Sequence, residues 1–262
     1  MIVNEMYDIN LSNKINIGCG KVNWSNWILL DEINYPGVRL ISFNKNTKLP
    51  YKDNSISLFY SSHFFEHINN ECINRLLNEI KRVSVPGSFF ILKIPDFSWF
   101  LDQYNFKIKQ SMDETGLDSL VITWSNYNLE DCFENRVAAH FCSYFTIPYG
   151  DHYGGNFNIK SKNSYFGPPK VPVNFLKKIF KSNSPNEISK ILSLEALKDP
   201  LFKSFNHQNS WSESEMAKVL SEFNLNIESI NKELICYQFK EIIPDIFCMY
   251  DWSKYYLIKV IK

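Results

Sequence analysis

The chain has 262 residues, a length that suits one large domain or one domain carrying a sizeable insertion. Lys plus Arg and Asp plus Glu number 28 each, so the formal net charge is zero and the basic excess that phosphate contacts demand of a nucleic-acid binder is missing. No apolar run approaches the roughly 20 residues of a membrane span, and six cysteines without CxxC spacing, with no signal peptide, read as reduced thiols of a cytoplasmic protein rather than a zinc site.

Ile15–Gly18, Trp27–Asp31 and Val38–Phe43 are short apolar runs bounded by Gly, Asn, Asp or Pro, and they read as strands; Ile56–Ser61 is a fourth. Ile68, Cys72, Ile73, Leu76, Leu77, Ile80 and Val83 then recur at helical spacing. Their helix has Asn69 or Asn70 as its N-cap, and Pro86–Gly87 is expected to break it. Ser88–Ile94 is the fifth strand, ending at Pro95–Asp96. This order predicts a parallel α/β sheet.

Regular alternation stops from Phe97 to about Asn206, and residues 97–166 hold 16 aromatics. Two helices are expected late in this stretch, the second opened by the capping box Ser184-Pro185-Asn186-Glu187. Another box, Ser212-Glu213-Ser214-Glu215, opens a predicted helix over Glu213–Phe223. Two β-like stretches, roughly Ile227–Tyr237 and Tyr255–Ile261, follow. The chain thus reads as one domain over 1–262: a ligand-binding half over 1–96, an insertion over 97–206 that serves as acceptor-binding lid or merely as extra core, and a C-terminal helix with edge strands over 207–262.

The stretch INIGCGKVNWSNWILLDE, Ile15 to Glu32, carries the first chemical signal. A glycine turn after a strand lets a ligand approach the backbone closely. An acid at the tip of the next strand can accept both hydroxyls of a ribose. A dinucleotide site wants GxGxxG and an acid about 20 residues on. Here the third glycine is absent, Asp31 arrives early, and the helix that would carry a pyrophosphate is cut to a turn. An adenosine-type ligand without phosphates fits better.

The pieces INIGCG, NWILLDE, LPYKDNSISLFYSSHFFEHI and LLNEIKRVSVPGSFFILKIPD stand in order across residues 14–96. Together they resemble the class I S-adenosylmethionine (SAM)-dependent methyltransferases, most closely a compact bacterial branch often associated with surface-polysaccharide pathways. SWSESEMAKVLSEFNL and KYYLIKV resemble that family's last helix and edge strand. The resemblance implies a Rossmann-like α/β sheet with an aromatic-rich insertion after the fifth strand, and SAM as cofactor with S-adenosyl-L-homocysteine as product. It also implies a small-molecule acceptor. The favoured acceptor is a hydroxyl of a capsule or lipopolysaccharide sugar, or of an activated precursor of its decoration. N-methylation of a small amine, or a non-catalytic SAM-binding partner subunit, are the alternatives.

Residue by residue, Gly18 and Gly20 match the family's SAM-binding turn, with Cys19 between them offering backbone contacts. Asp31 matches the ribose acid, with Glu32 beside it, and Asn44 falls where an acid often stands near the adenine. Ser61, Ser62 and His63 match the lining of the methionine end. Glu66-His67 matches the EH pair of the next helical turn; Glu66 reads equally as a cofactor-binding residue and as an acid serving the helix start, and His67 reads first as a packed or bonding residue. Three departures stand out: Asn16 for an acid two residues before Gly18, Ser57 for the Asp of SFD, and VPGS for KPGG. The last two read as fold positions.

A hydroxyl acceptor must lose a proton, and imidazole has the right basicity near neutral pH. His140, His152 and His207 are the candidates, in that order, because the first two lie in the insertion and the third precedes the last helix. Methyl transfer requires no metal, and no metal-ligand spacing is visible in the chain.

Overall fold

The structure, a computed structural model, describes residues 13–106, 137–138, 141, 173–196, 207–244, 246 and 253–261. Strands β1 (Lys14–Ile17), β2 (Ile28–Asp31), β3 (Arg39–Leu40), β4 (Ile56–Ser62) and β5 (Ser84–Pro95) lie parallel. β6 (Leu225–Ser229) and β7 (Ser253–Val260) add an antiparallel edge, and the seven-stranded order is β3-β2-β1-β4-β5-β7-β6. β7 therefore enters the sheet between β5 and β6. This is the Rossmann-like sheet of class I methyltransferases, as expected from the motifs.

Parallel strands covered on both faces carry continuous apolar runs, and β4 is buried from Ile56 through Ser61. One face packs against α1 (Asn70–Val83) and α5 (Glu213–Ser221), through Cys72, Ile73, Leu76, Leu77, Ile80, Met216 and Leu220. Trp24 and α6 (Lys232–Phe239) cover the other face, with Ile235 and Phe239 set against Leu58, Tyr60, Phe89 and Leu257. The 18–27 connection holds no helix, as the early acid required. Trp24 makes up for it by stacking within 5.3 Å of both Trp27 and Tyr60.

Asn69 is the N-cap of α1, its side chain accepting from the Cys72 N–H. Both capping boxes form: Ser184 and Glu187 exchange hydrogen bonds ahead of α4 (Pro185–Ala196), and Ser212 and Glu215 do so ahead of α5. α2 (Phe97–Phe106) and α3 (Val173–Ser182) complete the described insertion. Tyr104 meets Phe180 at 4.9 Å, and Ser189 Oγ donates to the Phe141 carbonyl at 3.0 Å.

Four expectations need correction. Of Val38–Phe43 only Arg39–Leu40 forms a strand. Ile68, extended at φ −106° and ψ 149°, precedes α1. Pro86–Gly87 does not end α1; the helix stops at Val83, and Ser84 already pairs with Ile56 as the first residue of β5. The pair sits at an irregularity near the strand start, where proline is tolerated. Of 227–237 only 227–229 are strand, the last three residues of β6. Asn231 then caps α6 by accepting from the Leu234 N–H, and burial of Ile235, Cys236 and Phe239 holds the helix. Among the described residues no helix is long and apolar enough to cross a membrane. The described cysteines Cys19, Cys72 and Cys236 are free thiols.

Candidate active site

The parallel strands end along one edge, and the chain reverses its direction of travel across the sheet between β1 and β4. A crevice at such a switch point is where open α/β sheets take their ligands. Gly18–Gly20 leaves β1 on one side of it, and Ser62–His63 leaves β4 on the other.

The turn is closed by its own hydrogen bonds. Gly18 N and Cys19 N both donate to the Leu30 carbonyl, at 2.9 and 3.1 Å. Gly20 N donates to Asp31 Oδ2 at 2.7 Å, and Ile33 N donates to Asp31 Oδ1 at 2.9 Å. Asp31 thus clamps the glycine turn to the tip of β2. Its half-buried carboxylate keeps acceptor capacity beyond those two bonds. Cys19 contributes no thiolate: burial above all, then the Asp31 charge, push its thiol up to about 12. With its N–H committed to Leu30, its carbonyl is the backbone group left for a ligand.

Both glycines have positive φ, +66° at Gly18 and +59° at Gly20, but their surroundings differ. A Cβ on Gly18 would fall 2.1 Å from the Phe64 ring, whereas a Cβ on Gly20 would meet nothing within 4 Å. The open space over Gly20 is a cradle that a side chain would fill. Buried Asn16 Oδ1, two residues before the turn, has no hydrogen-bond partner and can accept from a ligand N–H. These features fit SAM: space for close backbone approach, a carboxylate for ribose hydroxyls and an orphan acceptor. Each left-handed alanine costs about 1–2 kcal/mol. Gly18→Ala must also displace Phe64, so its melting temperature should fall below that of Gly20→Ala, while Gly20→Ala should lose SAM affinity. Paired thermal unfolding and SAM titration check this; equal melting temperatures would mean that Phe64 yields freely.

Glu32 and Asn44 are tied to local backbone. Glu32 Oε1 accepts from Phe43 N at 2.7 Å, which joins the end of β2 to the segment after β3. Asn44 Oδ1 accepts from Asn46 N at 2.8 Å, and its amide group donates to Ser42 Oγ at 2.9 Å. Ser61 is fully buried, and its hydroxyl donates to the Ile17 carbonyl at 2.9 Å, bridging β4 to β1. Ser62 is half-buried at the end of β4. Ser57 donates to the Asn13 carbonyl at 3.0 Å, in keeping with a fold position.

Beyond β4 the side chains converge. His63 has a left-handed φ of 51°. Its Nδ1 lies 3.3 Å from Glu66 Oε1 and its Nε2 lies 3.0 Å from Ser253 Oγ. Glu66 and His67 sit on the 3₁₀ turn Phe65–His67, and Glu66 is fully buried. The segment 207–209 is knitted onto that turn. Gln208 N and Asn209 N donate to the Glu66 carbonyl at 2.6 and 3.2 Å, and Gln208 Nε2 reaches the His67 carbonyl at 2.8 Å. The His207 ring consequently crosses His67 edge-on at 4.6 Å, with Phe97 at 5.9 Å. Of the expected bases, His207 is thus brought against His67; His140 and His152 lie outside the described residues. Phe64, Ser253 and the Gln208–Asn209 clamp were not foreseen. The only trace of the clamp in the sequence is the polar run His207-Gln208-Asn209 ahead of a capping box.

A family model described as "Methyltransferase domain" matches residues 32–92. No curated protein matches the sequence. Among solved structures, the chain is similar to a SAM-dependent methyltransferase from Aquifex aeolicus, at 9% identity over 97% of this chain and 86% of that one, with a TM-score of 0.39. It is also similar to SAM-dependent methyltransferases from Methanosarcina mazei, at 10% identity over 95% and 92%, with a TM-score of 0.40. A third similarity is to a complex of a methyltransferase with its activator from Haloferax volcanii, at 16% identity and a TM-score of 0.26. That alignment covers 34% of this chain and 47% of the other, less than half its length. At these TM-scores the likenesses add nothing to the fold established by the strand order.

Proposed function

We propose that this SAM-dependent methyltransferase methylates a hydroxyl of a small-molecule acceptor, a surface-polysaccharide sugar of capsule or lipopolysaccharide, or an activated precursor of its decoration. SAM-dependent methyl transfer itself rests on the methyltransferase-domain match together with the sheet order and the glycine turn. The acceptor class rests on the branch that the motifs resemble and on the neutral charge balance. The observation that carries hydroxyl chemistry is the placement of imidazoles. Phe64, whose ring lies against Gly18, is flanked in sequence by His63 and lies three residues before His67, and His207 meets His67 at 4.6 Å.

When bound, SAM supplies a methyl group already activated on a sulfonium. The chain must hold the acceptor oxygen behind that carbon, so that the O–C bond forms as the C–S bond breaks; orientation of this kind supplies several kcal/mol. The hydroxyl proton passes to an imidazole, and S-adenosyl-L-homocysteine leaves. His140, His152 and His207 are the proposed bases, with the 97–206 insertion over the acceptor.

SAM and S-adenosyl-L-homocysteine should each raise the melting temperature and NAD should not; a shift with NAD alone would sink the cofactor assignment. Turnover is read as S-adenosyl-L-homocysteine released in the presence of sugar or sugar-nucleotide acceptors. Removing the base should lower turnover by about 10²–10⁴-fold with SAM affinity near normal. If His140→Ala, His152→Ala and His207→Ala all keep near-wild-type turnover, the base is not a histidine.

A further inference from the structure

Among the described residues Glu66 is the most deeply buried carboxyl group. Its side chain is 0% exposed, and neither carboxylate oxygen makes a hydrogen bond of acceptable geometry. His63 Nδ1 approaches Oε1 at 3.3 Å, and one ligand atom each from Glu66, His67 and His207 lie within 4.8 Å of one another. One buried carboxylate is thus ringed by three imidazoles. An ionised carboxylate in such a place must be neutralised by a proton, an imidazolium or a metal cation.

The surroundings favour the cation. Two imidazoles and one carboxylate are a ligand set that suits divalent transition metals. The two histidines are 140 residues apart in sequence, yet they are fixed to each other through backbone. Asn209 Nδ2 adds a bond to the Ile68 carbonyl at 2.5 Å, alongside the bonds of Gln208 and Asn209 to Glu66 and His67. His63, held by Ser253, stands against the carboxylate in the way that outer-shell groups orient metal ligands. We propose that Glu66, His67 and His207 bind one divalent transition cation of the zinc or cobalt(II) type, with a coordination position left open. Ligand atoms around such an ion lie roughly 3–3.5 Å apart, so the set closes by rotation of the two half-buried imidazoles. The site lies beyond the spacing visible in the chain, because its third ligand arrives from a distant segment. It depends on no particular acceptor, and with His207 as a ligand it leaves His140 and His152 as the proposed bases.

The test uses the full, tag-free chain, stripped with a chelator and titrated with CoCl₂. One equivalent of Co²⁺ should bind, give a visible d–d absorption band and be displaced by ZnCl₂. Glu66→Gln, His67→Ala and His207→Ala should each weaken Co²⁺ binding at least as much as loss of an outer-shell partner does, about 10–100-fold. A SAM-induced thermal shift, recorded on each sample, shows that the variant is folded and keeps failure of the metal site separate from failure of the cofactor assignment. If Glu66→Gln does not fold, half-buried His207 carries the test. Absence of a stoichiometric band in the wild type, or an undiminished band in His207→Ala, overturns the proposal in favour of a protonated Glu66 or a Glu66–imidazolium pair.

Discussion

Asp31→Ala is expected to weaken SAM binding by about 1.5–3 kcal/mol, the range for hydrogen bonds to a charged group. That is a loss of roughly one to two decades in Kd, read by calorimetry. The carboxylate has two tasks. Toward the ligand it offers acceptors for the ribose hydroxyls; toward its own chain it holds Gly20 N and Ile33 N. Alanine ends both, so the melting temperature should fall as well. Asp31→Asn separates the tasks, since its amide keeps one acceptor oxygen but places donors where the other oxygen stood. A variant with lowered stability and unchanged SAM affinity would restrict Asp31 to the turn.

Arg82→Ala should cause the largest loss of stability. The guanidinium donates to both Glu79 oxygens at 2.9 and 2.7 Å, to Asp53 Oδ1 at 2.6 Å and to the Tyr51 and Leu49 carbonyls at 2.9 Å each. It fastens the chain that leads into β4 to the last turn of α1. Burial pushes the Glu79 carboxyl up, but the bonds from Arg82 and Leu49 N–H and the charges of Arg82 and Arg75 outweigh it and hold the group below its ordinary range. Removing the arginine leaves a carboxylate whose side chain is 4% exposed without its main partner. Breaking a buried pair costs about 3–5 kcal/mol; because Arg82 itself is 25% exposed, the low end applies. A carboxyl depressed in the folded state stabilises above its unfolded pKa, and that contribution is lost as pH falls through the folded value. The gap between wild type and Arg82→Ala in urea unfolding should therefore be full at neutral pH and narrow in acid. A gap that does not change with pH would mean that Arg82 acts through the carbonyls alone.

What could be read in the chain was mostly local. The helical stripe from Cys72 to Val83 and both capping boxes are set by residues within a few positions of one another, and they take the expected form. β3 shrinks to Arg39–Leu40 because both residues are exposed at the edge of the sheet, where alternation of apolar residues has nothing to pack against. The stretch Ile227–Tyr237 reads as β throughout, although its later residues belong to α6. The Asn231 cap and the apolar surface of Phe89 and Leu257 made them a helix instead. The meeting of Glu66, His67 and His207 had no local signal, since it depends on backbone bonds across the whole insertion.

The helix-free connection after β1 bears on how the chain is made. Trp27 Nε1 donates to the Ile242 carbonyl at 3.2 Å, across 215 positions, and Trp24 shares its apolar cluster with Ile235, Phe239 and Tyr255. The turn near the start of the chain is therefore braced by segments about two hundred positions further along it. During synthesis the first strands can pair, but the loop that shapes the turn has no surface to settle on until α6 and β7 emerge. A nascent chain stalled before residue 232 would carry the glycine turn and Asp31 and still lack the brace behind them.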